Sequence, residues 1–173
     1  MKSQLMLLTL IALAIQADGF TQTKWRTFKS TEENFIISLP AEPQQEQTSG
    51  RGPLGNGHHI YRIESDGITY IVSNSVFENP RVLPGDIKKT LDFVRNLLQR
   101  VSHGRLVSDK DISFAGFTGR EVKVERDQQL WTLRAFVVKK RMYQFMTRSP
   151  KAKEQSAEVA KFFDSFKFIN PPE

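Results

Sequence analysis

The sequence contains no cysteine among its 173 residues, and this absence excludes several kinds of protein. A chain without cysteine forms no disulfide bond, offers no thiol nucleophile, builds no zinc-thiolate site and has no cysteine for lipid attachment. The fold must therefore be held by its hydrophobic core alone. A domain near 150 residues buries about 68–70% of the surface that its unfolded chain exposes, so we expect one domain.

The sequence also lacks the short motifs of common enzyme classes. It contains no G-x-S-x-G, no H-E-x-x-H and no glycine-rich phosphate loop followed by Lys-Ser/Thr. His58 and His59 are adjacent, so on a strand their side chains point to opposite faces and cannot chelate one ion together. His103 follows a predicted helix and is interpreted as a helix-end cation. We therefore expect no catalytic residue, no cofactor and no bound transition metal.

No apolar run is long enough to cross a membrane, but the first one has the length of a signal peptide. A spanning helix needs about 20 apolar residues, whereas the run Leu5 to Ile15 supplies 11. A basic start, this run and the small residues after it predict a signal peptide over residues 1–17, with Ala14 and Gly19 as alternative cleavage sites. Residues 18–173 are then one exported domain, periplasmic or extracellular.

Most of the remaining chain is predicted to form strands. Short segments rich in β-branched and aromatic residues alternate with polar turns, and the turn Asp66-Gly67 is a strong hairpin signal. Residues 41–57 differ from this pattern because they are rich in Gly, Pro and Gln and have no periodicity. This composition predicts a flexible loop.

Two segments have the periodicity of amphipathic helices. The first has Asp86 as its expected N-cap and His103-Gly104 at its end, and its apolar face is predicted to contain Ile87, Leu91, Val94, Leu98 and Val101. The second begins after Pro150 and runs to Phe166. Its apolar side is predicted to contain Ala152, Val159, Ala160, Phe163 and Phe166.

The stretch Leu130 to Arg148, "LWTLRAFVVKKRMYQFMTR", mixes basic and aromatic residues, and it is either a surface for a polyanion or a pair of buried strands. A two-residue turn at 127–128 would pair it with the preceding strand. The pairs predicted by this register are Val124 with Trp131, Val122 with Leu133, Arg120 with Ala135, Gly119 with Phe136, Glu121 with Arg134 and Phe117 with Val138. Both faces are then partly apolar and must be covered. We therefore predict that the aromatic residues belong to the core and that residues 139–141 form a charged turn.

Positive charge is concentrated around the same stretch. The formal net charge is +6, and it falls to +5 when Lys2 leaves with the signal peptide. Residues 118–148 contain 8 basic and 3 acidic residues, so they account for the surplus. Such a surplus attracts anionic partners without specifying which. The residues predicted to bind an anionic partner are Arg120, Arg126, Lys139, Lys140, Arg141 and Arg148.

Four segments in this order resemble small exported bacterial proteins with a PsbP-like fold: "WRTFKSTEENFIISLPAEP", "FTGREVKVE", "LRAFVVKKRMYQF" and "AEVAKFFDSFKF". The resemblance covers Trp25 to Phe168. It implies an α+β fold of the α/β/α sandwich type, with a central antiparallel sheet, helices on both faces and a short last strand at "FKF". Members of this fold that are understood act as accessory or binding subunits, and the resemblance carries over no catalytic residue.

Three functions agree with these features, in descending order of preference. The first is an exported, non-enzymatic domain that binds a protein or another component of the cell envelope. The second is a binder of polyanions or anionic surfaces that uses the basic hairpin, with nucleic acid disfavoured because the aromatic residues are expected to be buried. The third is a small hydrolase with an unfamiliar site.

Overall fold

The computed structural model describes residues 24–48, 56–77 and 87–170. The predicted signal peptide and Asp86 lie outside the described residues. Within these ranges, the helices and strands are β1 (Arg26–Ser30), β2 (Phe35–Leu39), β3 (Gln44–Thr48), β4 (Asn56–Ser65), β5 (Ile68–Val76), α1 (Ile87–Ser102), β6 (Arg105–Phe114), β7 (Phe117–Arg126), β8 (Gln129–Val138), β9 (Arg141–Pro150), a short 3-10 helix (Lys151–Lys153), α2 (Ala157–Asp164) and β10 (Lys167–Phe168). Neither of these two α-helices is long and apolar enough to cross a membrane.

The strands form two antiparallel sheets. The large sheet has seven strands in the order β3-β4-β5-β9-β8-β7-β6, and the small sheet has three in the order β1-β2-β10. Every neighbouring pair in the large sheet except β5–β9 is joined by a direct connection along the chain. The prediction of a central antiparallel sheet is therefore confirmed.

The predicted register of the β7–β8 hairpin is also confirmed. Val124 pairs with Trp131 and Gly119 with Phe136, as expected for a two-residue turn. The turn residues Asp127 and Gln128 have φ angles of 50° and 61°. Both angles lie in the left-handed region that short hairpin turns require, so the turn follows the right-handed twist of the strands.

Helix α1 covers one face of the large sheet, which we call the helix face. It packs against β6, β7 and β8, and its buried side chains are Thr90, Leu91, Val94, Leu98 and Ser102. Two residues of the predicted apolar face, Ile87 and Val101, are instead 43% and 65% exposed. The buried positions 90, 94, 98 and 102 follow one another in steps of four residues. Positions 87 and 101 project onto the same side of the helix as position 94, but they lie in the first and last turns of α1, so their exposure comes from the ends of the helix.

The opposite face of the large sheet, which we call the aromatic face, is covered by the small sheet together with α2. Its core contains Phe35, Tyr143, Phe145, Phe162 and Phe166, and the ring centroids of Phe145 and Phe166 are 4.2 Å apart. The expected α/β/α sandwich with helices on both faces is not confirmed. A second sheet and an eight-residue helix cover this face, because β2 supplies a strand that alternates buried and half-buried residues.

The aromatic residues of the basic stretch are mostly core residues, as predicted. Phe136, Tyr143 and Phe145 are buried on the aromatic face, and Trp131 is half-buried on the helix face. Rings inside a core cannot stack on nucleic-acid bases. The charged turn is also present, since the chain reverses at Lys139 and Lys140 before β9 begins.

The prediction of a flexible loop over residues 41–57 is wrong for residues 44–48. These residues form β3, which pairs antiparallel with β4, and β4 itself begins at position 56. Strand β3 lies at the edge of the large sheet, and Gln44 and Gln45 are exposed. An exposed edge strand needs no apolar alternation, so its sequence resembles that of a loop. Residues 49–55 lie outside the described residues.

The second helix is shorter than predicted. Strand β9 continues to Pro150, a 3-10 turn follows, and α2 begins only at Ala157. The hydroxyl of Ser156 accepts a hydrogen bond from the amide of Val159 and caps the helix there. The buried positions are Val159, Phe162 and Phe163. The predicted apolar residues Ala152 and Ala160 are exposed.

Candidate ligand-binding groove

The six basic residues predicted to bind an anionic partner do not form one patch. Arg126 and Arg148 lie near the β7–β8 turn, whereas Lys139, Lys140 and Arg141 lie around the β8–β9 turn. These turns are at opposite ends of β8, which has ten residues and is therefore roughly 30 Å long. One compact anionic group cannot contact both ends.

The sixth residue, Arg120, is buried and cannot serve as a ligand-binding residue. Its side chain points to the helix face, where it forms ion pairs with Asp92 of α1, with Asp109 at 3.4 Å and with Asp111 at 3.0 Å. The hydrogen bond from Arg120 lowers the pKa of Asp92 below its ordinary value. Arg120 therefore joins α1 to β6 and β7, and the prediction that it faces a ligand is corrected.

A groove of about 480 Å³ opens on the helix face beside the end of α1. Helix α1 ends at Ser102, and His103 then adopts a φ of 51°, which turns the chain towards β6. The helix therefore leaves part of β8 and β9 uncovered. The main lining residues are Leu98, Val101, Arg126, Trp131, Met146 and Arg148. We call this depression the Trp131 groove.

Two arginines lie along the Trp131 groove in different settings. Arg126 Nη1 donates a hydrogen bond to the carbonyl oxygen of Ser102 at 3.3 Å, and Arg126 Nε donates to Asp127 at 2.9 Å. This side chain therefore caps the C-terminal end of α1. Arg148 is the cross-strand partner of Trp131, and its Cζ lies 5.5 Å from the indole ring centroid. This cation–π contact holds an exposed guanidinium above a half-buried apolar surface.

The apolar surface of the Trp131 groove extends onto α1. Val101 is 65% exposed, the largest exposed fraction among the large apolar residues of the described chain. Trp131 and Met146 are half-buried on the strands beneath it. A guanidinium next to an aromatic ring and aliphatic side chains can bind a carboxylate while the apolar surface contacts a neighbouring side chain.

A second depression of about 370 Å³ continues the Trp131 groove around the β4–β5 turn, and the two share Gln129 and Arg148. Glu64 and Asp66 line its far part. The pKa of Glu64 is lowered, chiefly by a hydrogen bond from Arg62, so this carboxylate is ionised at neutral pH. The combined surface is therefore basic and apolar at one end, and at the other it carries two carboxylates, of which Glu64 is paired with Arg62 at 2.7 Å.

A separate buried polar cluster lies between the β1–β2 turn and the large sheet. Glu33 Oε1 is 2.7 Å from Nδ1 of His59, and the Tyr143 hydroxyl donates to the Glu33 carbonyl oxygen at 2.9 Å. Burial and the neighbouring Glu33 raise the pKa of Tyr61 to about 12. The nearby Ser30 hydroxyl accepts a hydrogen bond from the Glu33 amide at 3.3 Å. These contacts attach the β1–β2 hairpin to the large sheet.

Metal-binding clusters are not found in the parts of the chain that the structure describes. No group of three or more His, Asp or Glu side chains in these ranges is arranged to hold an ion. His59 is engaged with Glu33 on the aromatic face, and His103 is exposed in the turn after α1.

Comparison with known proteins identifies the fold. The solution structure of cyanobacterial PsbP (CyanoP) from Synechocystis sp. PCC 6803 is similar, with 10% sequence identity, a TM-score of 0.59, and coverage of 87% of this chain and 95% of that chain. The chain therefore has a PsbP-like fold. The crystal structure of the Pseudomonas aeruginosa protein PA94, described as being of unknown function, has 13% identity, a TM-score of 0.43, and coverage of 79% of this chain and 90% of that chain. No protein-family model and no curated protein matches the sequence.

Sequence reasoning found two arginines of the Trp131 groove and missed its apolar part. The predicted hairpin paired Trp131 with Val124, but the contact with Arg148 depends on the pairing of β8 with β9. Val101 was predicted to face the core. The sequence indicates where α1 ends but not how far the sheet extends beyond that end. The exposure of the last turn of α1 could therefore not be predicted.

Proposed function

We propose that this chain is an exported, non-enzymatic binding or accessory domain of the cell envelope, and that the Trp131 groove binds an extended segment of a partner protein. One observation carries the proposal. The groove joins exposed Val101 and the Trp131–Arg148 pair to a depression lined by Glu64 and Asp66. An apolar surface with one basic and one acidic end complements a peptide of mixed charge better than a uniform polyanion.

The export part of the proposal depends on the predicted signal peptide, and the non-enzymatic part depends on the sequence motifs and the described site. Arg120, which had suggested a charged ligand-binding face, serves to join elements of the fold. Arg126 caps α1. The groove therefore presents Arg148 as its main ligand-facing cation, beside a half-buried indole. Side chains of this kind, Trp and Arg in particular, are enriched among the residues that dominate binding energy at protein interfaces.

Site-specific photocrosslinking tests this proposal. A photoreactive amino acid at position 101, in the protein expressed with its signal peptide in its native host, should crosslink to a discrete envelope protein. The same amino acid at Val107, which is 45% exposed on β6 and does not line the groove, is the matched control. Arg148→Gln should reduce the crosslink at position 101 at least fivefold, whereas Lys139→Gln should leave it unchanged. Equal crosslinking from positions 101 and 107, or no effect of Arg148→Gln, would contradict the proposal.

Polyanion binding stays a second candidate because of the β8–β9 turn. Lys139 and Lys140 are exposed, and no carboxylate of the described residues forms an ion pair with either of them. Charge in this turn is therefore available to an anionic surface. Retention on a sulfated resin at low salt should fall steeply with salt if this candidate is correct. A variant in which Lys139, Lys140 and Arg141 are replaced by Gln should then lose that retention while it keeps the photocrosslink at position 101.

A further inference from the structure

We propose that a cavity on the aromatic face is a binding site for a small, neutral, flat aromatic molecule of about the size of indole. The cavity has a volume of about 250 Å³ and lies between α2, the end of β6 and the middle of β8 and β9. Its apolar lining residues are Ile112, Phe114, Phe136, Phe145, Phe163 and Phe166. It faces away from the Trp131 groove, so the proposal is independent of the proposed function.

The cavity has a buried floor and an accessible rim. Phe136, Phe145 and Phe166 are at most 5% exposed and form the floor, whereas Ile112 and Phe114 on edge strand β6 are half-buried. A small molecule can therefore enter between β6 and α2. The rings are tilted with respect to one another, so the walls present both ring faces and ring edges, which are the surfaces that pack against another aromatic ring.

The volume of the cavity selects the class of ligand. Protein interiors are close-packed, with few voids larger than a water molecule. An apolar cavity of about 150 Å³ in another protein remains free of water and takes up benzene. A cavity of about 250 Å³ therefore has room for a second fused ring, and the five phenylalanines that line it favour an aromatic ligand over a flexible chain.

Two features keep the cavity open. Phe136 lies directly over Gly119, where an added Cβ would be 2.6 Å from the ring atom Cε1, so the missing side chain of Gly119 lets this ring lie flat against the sheet. At the rim, Arg134 Cζ lies 4.7 Å from the ring centroid of Phe163. Arg134 Nε also donates a hydrogen bond to Glu121 at 2.8 Å, which fixes the guanidinium in place.

The rim also indicates that the ligand is neutral. Arg134 is paired with Glu121 and lies 3.5 Å from Asp164, so its positive charge is already compensated by two carboxylates. A ligand carboxylate would compete with both of them. A neutral ring with one hydrogen-bonding group, such as the N–H of indole, would instead find carboxylate acceptors near the rim.

Calorimetric titration with indole tests this proposal, with octanoate as the comparison ligand. Indole should bind with one site per chain and should raise the melting temperature, whereas octanoate should bind at least tenfold more weakly. Ile112→Trp fills the cavity from β6 and should weaken indole binding at least tenfold. Leu106→Trp is the matched control because Leu106 is also half-buried on β6 but packs on the helix face; it should change the affinity less than twofold.

Folding of each variant is checked by its thermal melt, and Ile112→Phe replaces Ile112→Trp if the latter does not fold. In the parent protein, indole must shift the nuclear magnetic resonances of Phe145 and Phe166 and leave those of Trp131 unchanged. The proposal would be overturned by no binding up to the solubility limit of indole, by equal affinity in the cavity-filling variant, or by tighter binding of octanoate. Tight binding of octanoate would identify the cavity as an acyl-chain site.

Discussion

Gly119→Ala is expected to destabilise the fold more than an added methyl group usually does. In the β7–β8 hairpin, Gly119 is paired with Phe136, whose ring occupies the space above the glycine. A Cβ at this position would lie 2.6 Å from Phe136 Cε1 and 2.6 Å from the carbonyl oxygen of Ala135. Real Cβ atoms essentially never approach other atoms this closely, so both the ring and the backbone must shift.

The expected cost follows from these two contacts. Overpacking a well-filled core typically costs about 1–3 kcal/mol. The ring of Phe136 can move only towards the cavity that Phe114 and Phe145 also line, whereas the Ala135 carbonyl belongs to the sheet and cannot move without shifting the strand. We therefore expect the upper end, about 3 kcal/mol. For a domain of this size that corresponds to a fall in melting temperature of about 6–12 °C.

Thermal and urea melts of three variants measure this effect. Ser113→Thr, which adds a methyl group at an exposed strand position, should change the free energy of unfolding by less than about 0.5 kcal/mol. Gly119→Ala should cost at least about 1 kcal/mol less in a Phe136→Leu background, because the ring contact is then removed. The reasoning is refuted if Gly119→Ala melts within 2 °C of the parent protein, a threshold of roughly 0.5–1 kcal/mol.

Three further predictions concern charge, pH and processing. Arg120→Met removes the cation shared by three aspartates, although Arg95 still pairs with Asp92 and Asp109. Its cost should therefore approach only the lower end of the roughly 3–5 kcal/mol of a broken buried pair, whereas exposed Arg105→Gln should cost less than about 1 kcal/mol; equal melting temperatures would contradict this. Burial raises the pKa of all three tyrosines, Tyr61, Tyr70 and Tyr143. The folded state therefore favours the neutral phenol, so the free energy of unfolding falls as the pH rises above the ordinary tyrosine pKa of 10.0. Ultraviolet titration should show no tyrosinate in the folded protein near that pH. Intact-mass measurement of protein recovered outside the cytoplasm should show the loss of about 17 residues, give or take three; a mass that retains residues 1–14 would contradict it.

Local sequence signals predicted the β7–β8 hairpin because the position of a short turn determines the pairing register of the two strands beside it. Once the turn is placed at 127–128, the period of two residues per strand decides which residues pair and which face they share. The pair Glu121–Arg134, predicted from this register alone, is present with a hydrogen bond of 2.8 Å. The core positions of Phe136 and Val122 follow from the same step.

The covering of the aromatic face could not be predicted in the same way. The small sheet joins Phe168 of β10 to Phe35 of β2, two residues from opposite ends of the described chain. No turn connects these strands, so only the family resemblance suggested the last strand. Strand β3 was missed for a different reason, since its exposed glutamines give an edge strand the composition of a loop.

Predicting site residues from charge alone was less successful than predicting the fold. Arg120 belongs to the same basic stretch as Arg148, yet one side chain is buried among aspartates and the other is exposed beside Trp131. The partners Asp92 and Asp111 belong to other elements of the fold, and the sequence gives no indication that they converge. A count of charges in one segment therefore cannot separate ligand-binding cations from internal ones.

The same convergence reduces the positive surplus on which polyanion binding depends. Besides Arg120, Lys123 pairs with Glu154 at 2.7 Å, and Arg134 lies 3.5 Å from Asp164; these acidic partners lie outside residues 118–148. Part of the excess charge of residues 118–148 is thus compensated by acidic residues of other elements, and the local concentration of positive charge is lower than the sequence suggests. A partner must then be recognised at short range. The Trp131 groove, with its exposed Val101 and the carboxylates of the adjoining depression, supplies that short-range surface.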